Sequence, residues 1–375
     1  MRVVAKALAV SLLLAFFYLE SDVQSAPVQP TTGELSEWDR LVAGAKQEGK
    51  LHMYGPRGLE KFRQALTDPF EKKYGTAIEY AGLGARELLQ LVPKERAAGN
   101  YLWDIFVGGT DTLLFNMKAL RVLEPVEPAL VLPDVKDAKN WQGGRLPFFD
   151  GDRLGLFILY GAARSFFVNT AVAPPEEITS YRDLLSPKWK GQILLTRDPR
   201  MSGHGRSTFA FFYMHKDLGP EFIRALLRQE LRIPKDDHDA EVAVSRGQFG
   251  LCICNNAEAA ILVKERLPVK VLDAHKIKEG GSVSSSFANV ALVNRAPHPN
   301  AAKLYLNWLL SRETGHLLSE VTALASPRVD VSTEFVDPLT VPERGWPITN
   351  NESSLAKAIE MVEFLKAHME PYTAR

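Results

Sequence analysis

Residues 51–111 read LHMYGPRGLEKFRQALTDPFEKKYGTAIEYAGLGARELLQLVPKERAAGNYLWDIFVGGTD, and this stretch decides the fold. The apolar run 51–54 is short, ends on Gly55-Pro56 and predicts a strand. Phe62, Leu66 and Phe70 recur at a spacing of four, which predicts a helix over 59–74 that Pro69 kinks or splits. A second strand is expected at 77–80, then a helical stretch around 87–92 that Pro93 kinks or ends. A third strand at 104–107 closes on Gly108-Gly109, and an apolar helix runs from about Asp111 to Leu120. Strand, helix, strand, helix and strand within about seventy residues is the pattern of a parallel sheet covered by helices.

Outward from that stretch, residues 36–48 predict a helix capped by Ser36, with Trp38, Leu41, Val42 and Ala45 on one face and Gly49 as its stop. After residue 121, Pro125, Pro128, Pro133 and Pro147 mark irregular connections. Two β-rich runs, 154–160 and 165–168, lead into a second α/β region. It has strand 192–196, helices near 207–215, at 220–229 and from about 240, and strand 251–254. One more strand is expected at 283–293, then helices at 301–310 and 315–321. A final helix starts near Ser354 with Leu355, Ile359, Val362 and Leu365 on its inner face. The fold class is therefore α/β, with one lobe built, a crossing to a second, and a return near residue 285. Two lobes with a hinge and an interlobe cleft are expected: 36–160 plus 285–340, and 165–280. Residues 352–370 are expected to form a C-terminal helix packed on the outside. Clefts of this kind are where small ligands bind.

Composition narrows the partners. The 375 residues carry 45 Lys+Arg and 45 Asp+Glu, with no block of five like charges, so the basic excess of a phosphate-neutralising nucleic-acid binder is missing. Hydrophobic residues at 46% and charged residues at 24% describe an ordered globular chain. Arg2 and Lys6, an apolar run of about a dozen residues and Val23-Gln24-Ser25-Ala26 give the tripartite pattern of a secretory signal over 1–26. The run falls short of the ~20 residues that span a bilayer, so a periplasmic or otherwise exported protein is expected. Cys252 and Cys254 are the only cysteines. Partners so close on a strand make a strained bridge, and no further ligand stands at metal spacing. The two are expected to be small buried core residues.

Further along, the segment from Tyr181 to Gly191, Tyr-Arg-Asp-Leu-Leu-Ser-Pro-Lys-Trp-Lys-Gly, is followed by a β run and Asp198-Pro199-Arg200. With Asn169-Thr170 upstream, Ala296-Pro297-His298-Pro299-Asn300 and a helix ending in Leu309-Leu310-Ser311, it resembles the extracellular solute-binding proteins. These are type-2 periplasmic receptors of ABC importers, in the branch of ferric-ion and sugar-phosphate or phosphonate receptors. The resemblance covers about 37–330, and its motifs lie on the scaffold. It implies the two-lobed type-2 periplasmic-binding-protein fold, capture of a small solute by hinge closure, and delivery to membrane permease and ATPase subunits. Ferric receptors of the family typically hold the metal with adjacent tyrosines after the strand equivalent to 251–254. Here that position reads Cys254-Asn255-Asn256-Ala257-Glu258-Ala259-Ala260, without a tyrosine. The two phenolates that suit a pocket to Fe(III) are missing, so no metal ligand is expected and a ferric receptor is the alternative.

Loops at the carboxyl ends of strands face the crevice of such sheets. That rule nominates Tyr54 and Arg57, Arg86, and Thr110 with Asp111, the last two also being natural helix caps. Asn256 offers amide hydrogens to a ligand or serves as a turn residue. The rule also nominates the loop within Met201-Ser-Gly-His-Gly-Arg-Ser-Thr208. There Gly203 and Gly205 let backbone N–H groups turn inward, His204 sits in the loop, and Ser207 starts a helix whose dipole favours negative charge. Arg206 adds a bidentate clamp. The expected ligand is thus a small organic anion bearing phosphate, phosphonate or carboxylate. No Gly-x-Ser-x-Gly elbow, His-Glu-x-x-His pair or Walker loop is present, so no catalytic residue and no cofactor is expected. A hydrolase with an unrecognised constellation is the remaining alternative. A monomer without nucleic-acid partners is expected.

Overall fold

Ser36 accepts the amide of Asp39 at 3.1 Å and so caps helix α1, Glu37–Glu48, which Gly49 ends at φ 75°. A computed structural model describes residues 35–162, 166–195, 198–201, 204–234, 237–253, 266–285 and 288–369. Expectations for the other positions, among them the export segment 1–26, Gly203 and Asn256, lie outside the described residues.

β1 (Lys50–Pro56), α2 (Glu60–Tyr74), β2 (Ala77–Leu83), α3 (Ala85–Ala97) and β3 (Ile105–Gly108) follow in the expected order. β1 pairs in parallel with both β2 and β3. Two helices outlast their prolines: α2 continues through Pro69 and α3 through Pro93. In α2, Phe62 and Leu66 before the proline and Phe70 and Tyr74 after it are all buried. The last turn of α3 is tied down by Glu95, which accepts Trp103 Nε1 at 2.7 Å, and by Arg96, which donates to Asn294 at 2.6 Å. Such anchoring offsets the ~3 kcal/mol that a helix-interior proline costs. The apolar helix expected at 111–120 is a π-helix, Asp111–Met117.

β12 (Asn289–Val293) enters this sheet antiparallel beside β3, and it also pairs β4 (Leu123–Glu124) and β5 (Gly155–Phe157). On one face Leu51, Met53, Ile105 and Leu292 bury against Phe70, Tyr305 and Trp308. On the other, Tyr54, Phe106 and Phe157 bury against Leu113 and Met117 of the π-helix.

A second sheet has the order β10 (Val269–Val271), β7 (Phe166–Asn169), β9 (Leu251–Ile253), β8 (Ile193–Leu195). Phe209 and Phe212 of α5 (His204–Met214) and Phe222 of α6 (Gly219–Leu227) cover one face. Ala240 and Val244 of α7 (Asp237–Ser245) cover the other. The segment 181–191 is scaffold here: the Tyr181 ring stacks on Phe166 at 5.1 Å, its hydroxyl donates to Gly280 at 2.9 Å, and Trp189 is buried. Between the two sheets in the chain, β6 (Gly161–Ala162) pairs antiparallel with β11 (Val283–Ser284).

The C-terminal helix Glu352–His368 packs on α5 and α6 and shares the second sheet's core. Its inner face runs through Ser354, Ala358, Met361 and Leu365, whereas the expected face included Ile359, which is 51% exposed. Apolar periodicity admits both stripes; the small Ser354 and Ala358 are what allow close approach to α5. Cys252 is buried in β9 and disulfide-bonded, which corrects the expectation of an unpaired core residue. Cys254 is the one other cysteine in the sequence. No helix among the described residues is long and apolar enough to cross a membrane.

Candidate ligand site

Three parallel strands end along one edge of the first sheet. The register places Gly55 beside Gly82 and Tyr54 beside Phe106, so the turns after β1, β2 and β3 come together there. A surface pocket of about 360 Å³ opens at this edge, lined by Arg57, Gly58, Glu60, Arg63, Tyr80 and Gly82 among others. Gly58 takes φ 81°, a conformation that suits glycine and lets the chain turn from β1 into α2. The first turn of α2 has no side-chain cap, leaving backbone N–H groups at the pocket without a protein acceptor from the Leu59 cap position.

Arg57 stands at this pocket, but its charge is already engaged. Its Nη2 donates to Glu87 Oε2 at 2.7 Å and its Nε to the Gly82 carbonyl at 3.1 Å. Glu87 also accepts the Gly84 amide at 2.7 Å, and these bonds, the Gly84 amide first, hold its carboxyl below the usual range. Arg63 is bound to Glu60 and lies over the Tyr80 ring at 6.0 Å. The Tyr80 hydroxyl donates to Pro56 at 2.8 Å, and burial pushes that phenol up, keeping it neutral. Arg63, Glu60 and Tyr80 are residues the sequence reading missed. The i, i+3 spacing of Glu60 and Arg63 at a helix start was the available signal. Arg86 is exposed in the first turn of α3, one residue from Glu87.

Tyr54 is packed rather than presented. It is 4% exposed, edge-on to Phe106 at 5.8 Å, and lies so close over Gly108 that an added Cβ would meet its ring at 3.1 Å. Burial, then the nearby Glu87 charge, raise its hydroxyl above the ordinary phenol value. Thr110 makes no cap hydrogen bond to the π-helix, contrary to the simplest expectation for that position. It is 2% exposed and sits in a buried polar network. Its Oγ1 accepts from Asn289 Nδ2 at 3.1 Å and Asn350 Nδ2 at 3.2 Å, which occupies both lone pairs. Its own proton therefore goes to Ser285 Oγ at 3.0 Å, which also accepts Asn350 Nδ2 at 2.9 Å. Asn289 Oδ1 is buried there with no hydrogen-bond partner. Ser285, Asn289 and Asn350 had no signal in local sequence, since they come from segments more than 170 residues beyond Thr110, as the 175-residue separation of Thr110 and Ser285 shows. Asp111 begins the π-helix.

The second group of predicted residues belongs to the other sheet. α5 begins at His204, three residues before the expected start at Ser207, so Gly205, Arg206, Ser207 and Thr208 are helical rather than loop. Gly205 and Thr208 are buried, while Arg206 and Ser207 are half-buried. The correction has a physical cause: Phe209 and Phe212 are drawn into the core against Phe222, and the helix extends backwards from that anchor. Among the described residues no group of three or more His, Cys, Asp or Glu side chains is arranged to hold a metal ion.

Iron uptake protein A1 of Synechocystis sp. is 20% identical over 302 residues, covering 79% of this chain and 77% of that one. Among solved structures, Trichodesmium FutA (IdiA) in complex with iron and citrate has a TM-score of 0.64 at 17% identity, covering 86% of this chain and all of that one. AfuA from Actinobacillus pleuropneumoniae, with fructose-6-phosphate bound, has a TM-score of 0.57 at 18% identity, covering 86% and 99%. These likenesses give the type-2 periplasmic-binding-protein fold expected from the sequence. Residues 65–339 match the bacterial extracellular solute-binding proteins, and the chain belongs to that family.

Proposed function

We propose that the protein is the exported, monomeric receptor of an ABC importer and that it captures a small organic anion bearing phosphate, phosphonate or carboxylate. The observation that carries this reading is the pocket at the carboxyl edge of β1 and β2, where two guanidinium groups meet the uncapped start of α2. Residues 36–160 plus 285–340 form one lobe and 165–280 the other, and the hinge between them closes on the solute. Arg57 and Arg86 approach it from the first lobe. Arg206 and Ser207, on the first turns of α5, approach it from the second. Permease and ATPase subunits then receive it.

Calorimetric titration of the mature protein with phosphorylated sugars, aminoalkyl phosphonates and dicarboxylates tests the reading. One of these classes binds, and Arg206→Ala weakens it by ~2–4 kcal/mol, the scale for truncating a charged clamp in a closed cleft. Binding of an uncharged sugar alone, or equal affinity in Arg206→Ala, removes the anion or the clamp respectively. A second reading, a receptor for ferric ion with an organic acid, is favoured by the iron-uptake relative and by the iron and citrate in its structural neighbour. Equilibrium dialysis against ferric citrate and against citrate alone separates the two readings.

A further inference from the structure

The segment from Val341 to Glu352 touches β11, the end of β3 and the first sheet in a dozen residues. Val341 accepts from His275 Nε2 at 2.9 Å, and Trp346 packs its ring on His275 at 4.9 Å. An added Cβ on Gly280 or Gly281 would meet Trp346 at 2.7 Å, so these glycines seat that ring. Pro347 and Thr349 then bracket Val283 of β11, accepting at 2.9 Å and donating at 3.1 Å. Asn350 bonds Thr110 Oγ1 and Ser285 Oγ. Glu352 reaches the first sheet: its carboxylate accepts from Lys118 Nζ at 2.5 Å and the Gly151 amide at 2.8 Å, and its own amide donates to Phe149 at 2.9 Å. Lys118 also meets Asp150 at 2.9 Å and Asp152 at 2.8 Å. Glu352 itself opens the C-terminal helix, whose Ala358, Met361 and Leu365 lie in the core of the other sheet, against α5.

We infer that Asn350 and Glu352 are positioning residues of the receptor, carried on a strap that couples Thr110, at the end of β3, to α5 through the C-terminal helix. The physical reason is rigidity at both ends. Asn351 and Ser354 form a reciprocal cap, so Glu352 and the helix move as one body. A change in the angle between the sheets therefore pulls on the Lys118–Glu352 bond and on Asn350 together. Thr110 cannot move independently, because both lone pairs of its hydroxyl are held by amides from β12 and the strap. The coupling rests on the receptor reading for its purpose alone, since its geometry is complete without a ligand.

Hydrogen exchange of the full mature chain, with no ligand added, tests it. Glu352→Gln keeps the Gly151 bond and removes the charge. Exchange is expected to quicken by about tenfold at 149–154 and 347–352 and also, more weakly, at 282–285 and at 209–214 on α5, with β1–β3 unchanged. Asn350→Ala leaves the Lys118 cluster intact and is expected to quicken 282–285, 110–117 and 209–214 without loosening 149–154. Should Glu352→Gln fail to fold, Asn350→Ala decides alone. Changes confined to 347–352 and its direct contacts overturn the coupling, as does a uniform rise that includes β1–β3. Because no solute is used, failure here leaves the transport reading standing, and failure of the titrations leaves this one.

Discussion

Arg57 and Glu87 close across the carboxyl edge of the first sheet, Nη2 to Oε2 at 2.7 Å, with both side chains more than half exposed at 61% and 51%. An exposed pair of this kind adds little stability and is easily exchanged for another partner. Glu87 thus competes with any anion for the Arg57 guanidinium. Removing the competitor by Glu87→Gln is expected to strengthen anion binding severalfold, and Arg57→Ala to weaken it by about tenfold. Titration at low and high salt checks both; unchanged affinity in both variants takes Arg57 out of the site.

His275 supplies a pH dependence with a definite sign. Its Nδ1 faces Asp273 at 2.9 Å and its Nε2 the Val341 carbonyl at 2.9 Å, two acceptors that favour the imidazolium, in which both nitrogens donate. Burial opposes that charge, but the bonds to Asp273 and Val341 outweigh it and raise the imidazole above its ordinary value; Glu343 adds to the pull. A raised value contributes stability that is present below about pH 6.5 and lost as pH rises through the folded value. Urea midpoints of wild type and His275→Gln should therefore differ most near pH 6 and converge toward pH 9. A difference that grows with pH contradicts the assignment.

Phe70 stands at the centre of an aromatic cluster in the first core, with ring centroids 5.0 Å from Tyr74, 4.9 Å from Tyr305 and 5.3 Å from Trp308. Phe70→Ala is expected to cost about 3–5 kcal/mol, measured by chemical denaturation. A loss under ~1 kcal/mol would mean that the aromatic cluster collapses around the gap.

Cys252 is oxidised, so the purified protein should take up no iodoacetamide unless it is first reduced and unfolded. Its intact mass should lie below the reduced value by two hydrogens. Alkylation of the untreated native protein at Cys252 contradicts this.

Local sequence determined the alternation of strands and helices around the first sheet, because each element there has its own period: Ser36 and Gly49 bound α1 as read, although the strand read at 51–54 runs on through Gly55 and Pro56. It also fixed which edge carries the turns after β1, β2 and β3, since parallel strands leave their carboxyl ends together. Tertiary packing decided what propensity alone misjudged. Pro69 and Pro93 are tolerated because flanking residues are anchored elsewhere, and α5 starts early because its phenylalanines pull it into the core. The start of α5 turned loop candidates into helical ones. Distance in the chain hid the rest. Thr110 reads as a helix cap until Asn350, 240 positions away, is seen on its hydroxyl. Lys118 carries no local signal for its partner Glu352, 234 positions on. A sequence announces contacts a turn apart by spacing, whereas contacts made by folding a strap back across two sheets depend on the whole chain being in place.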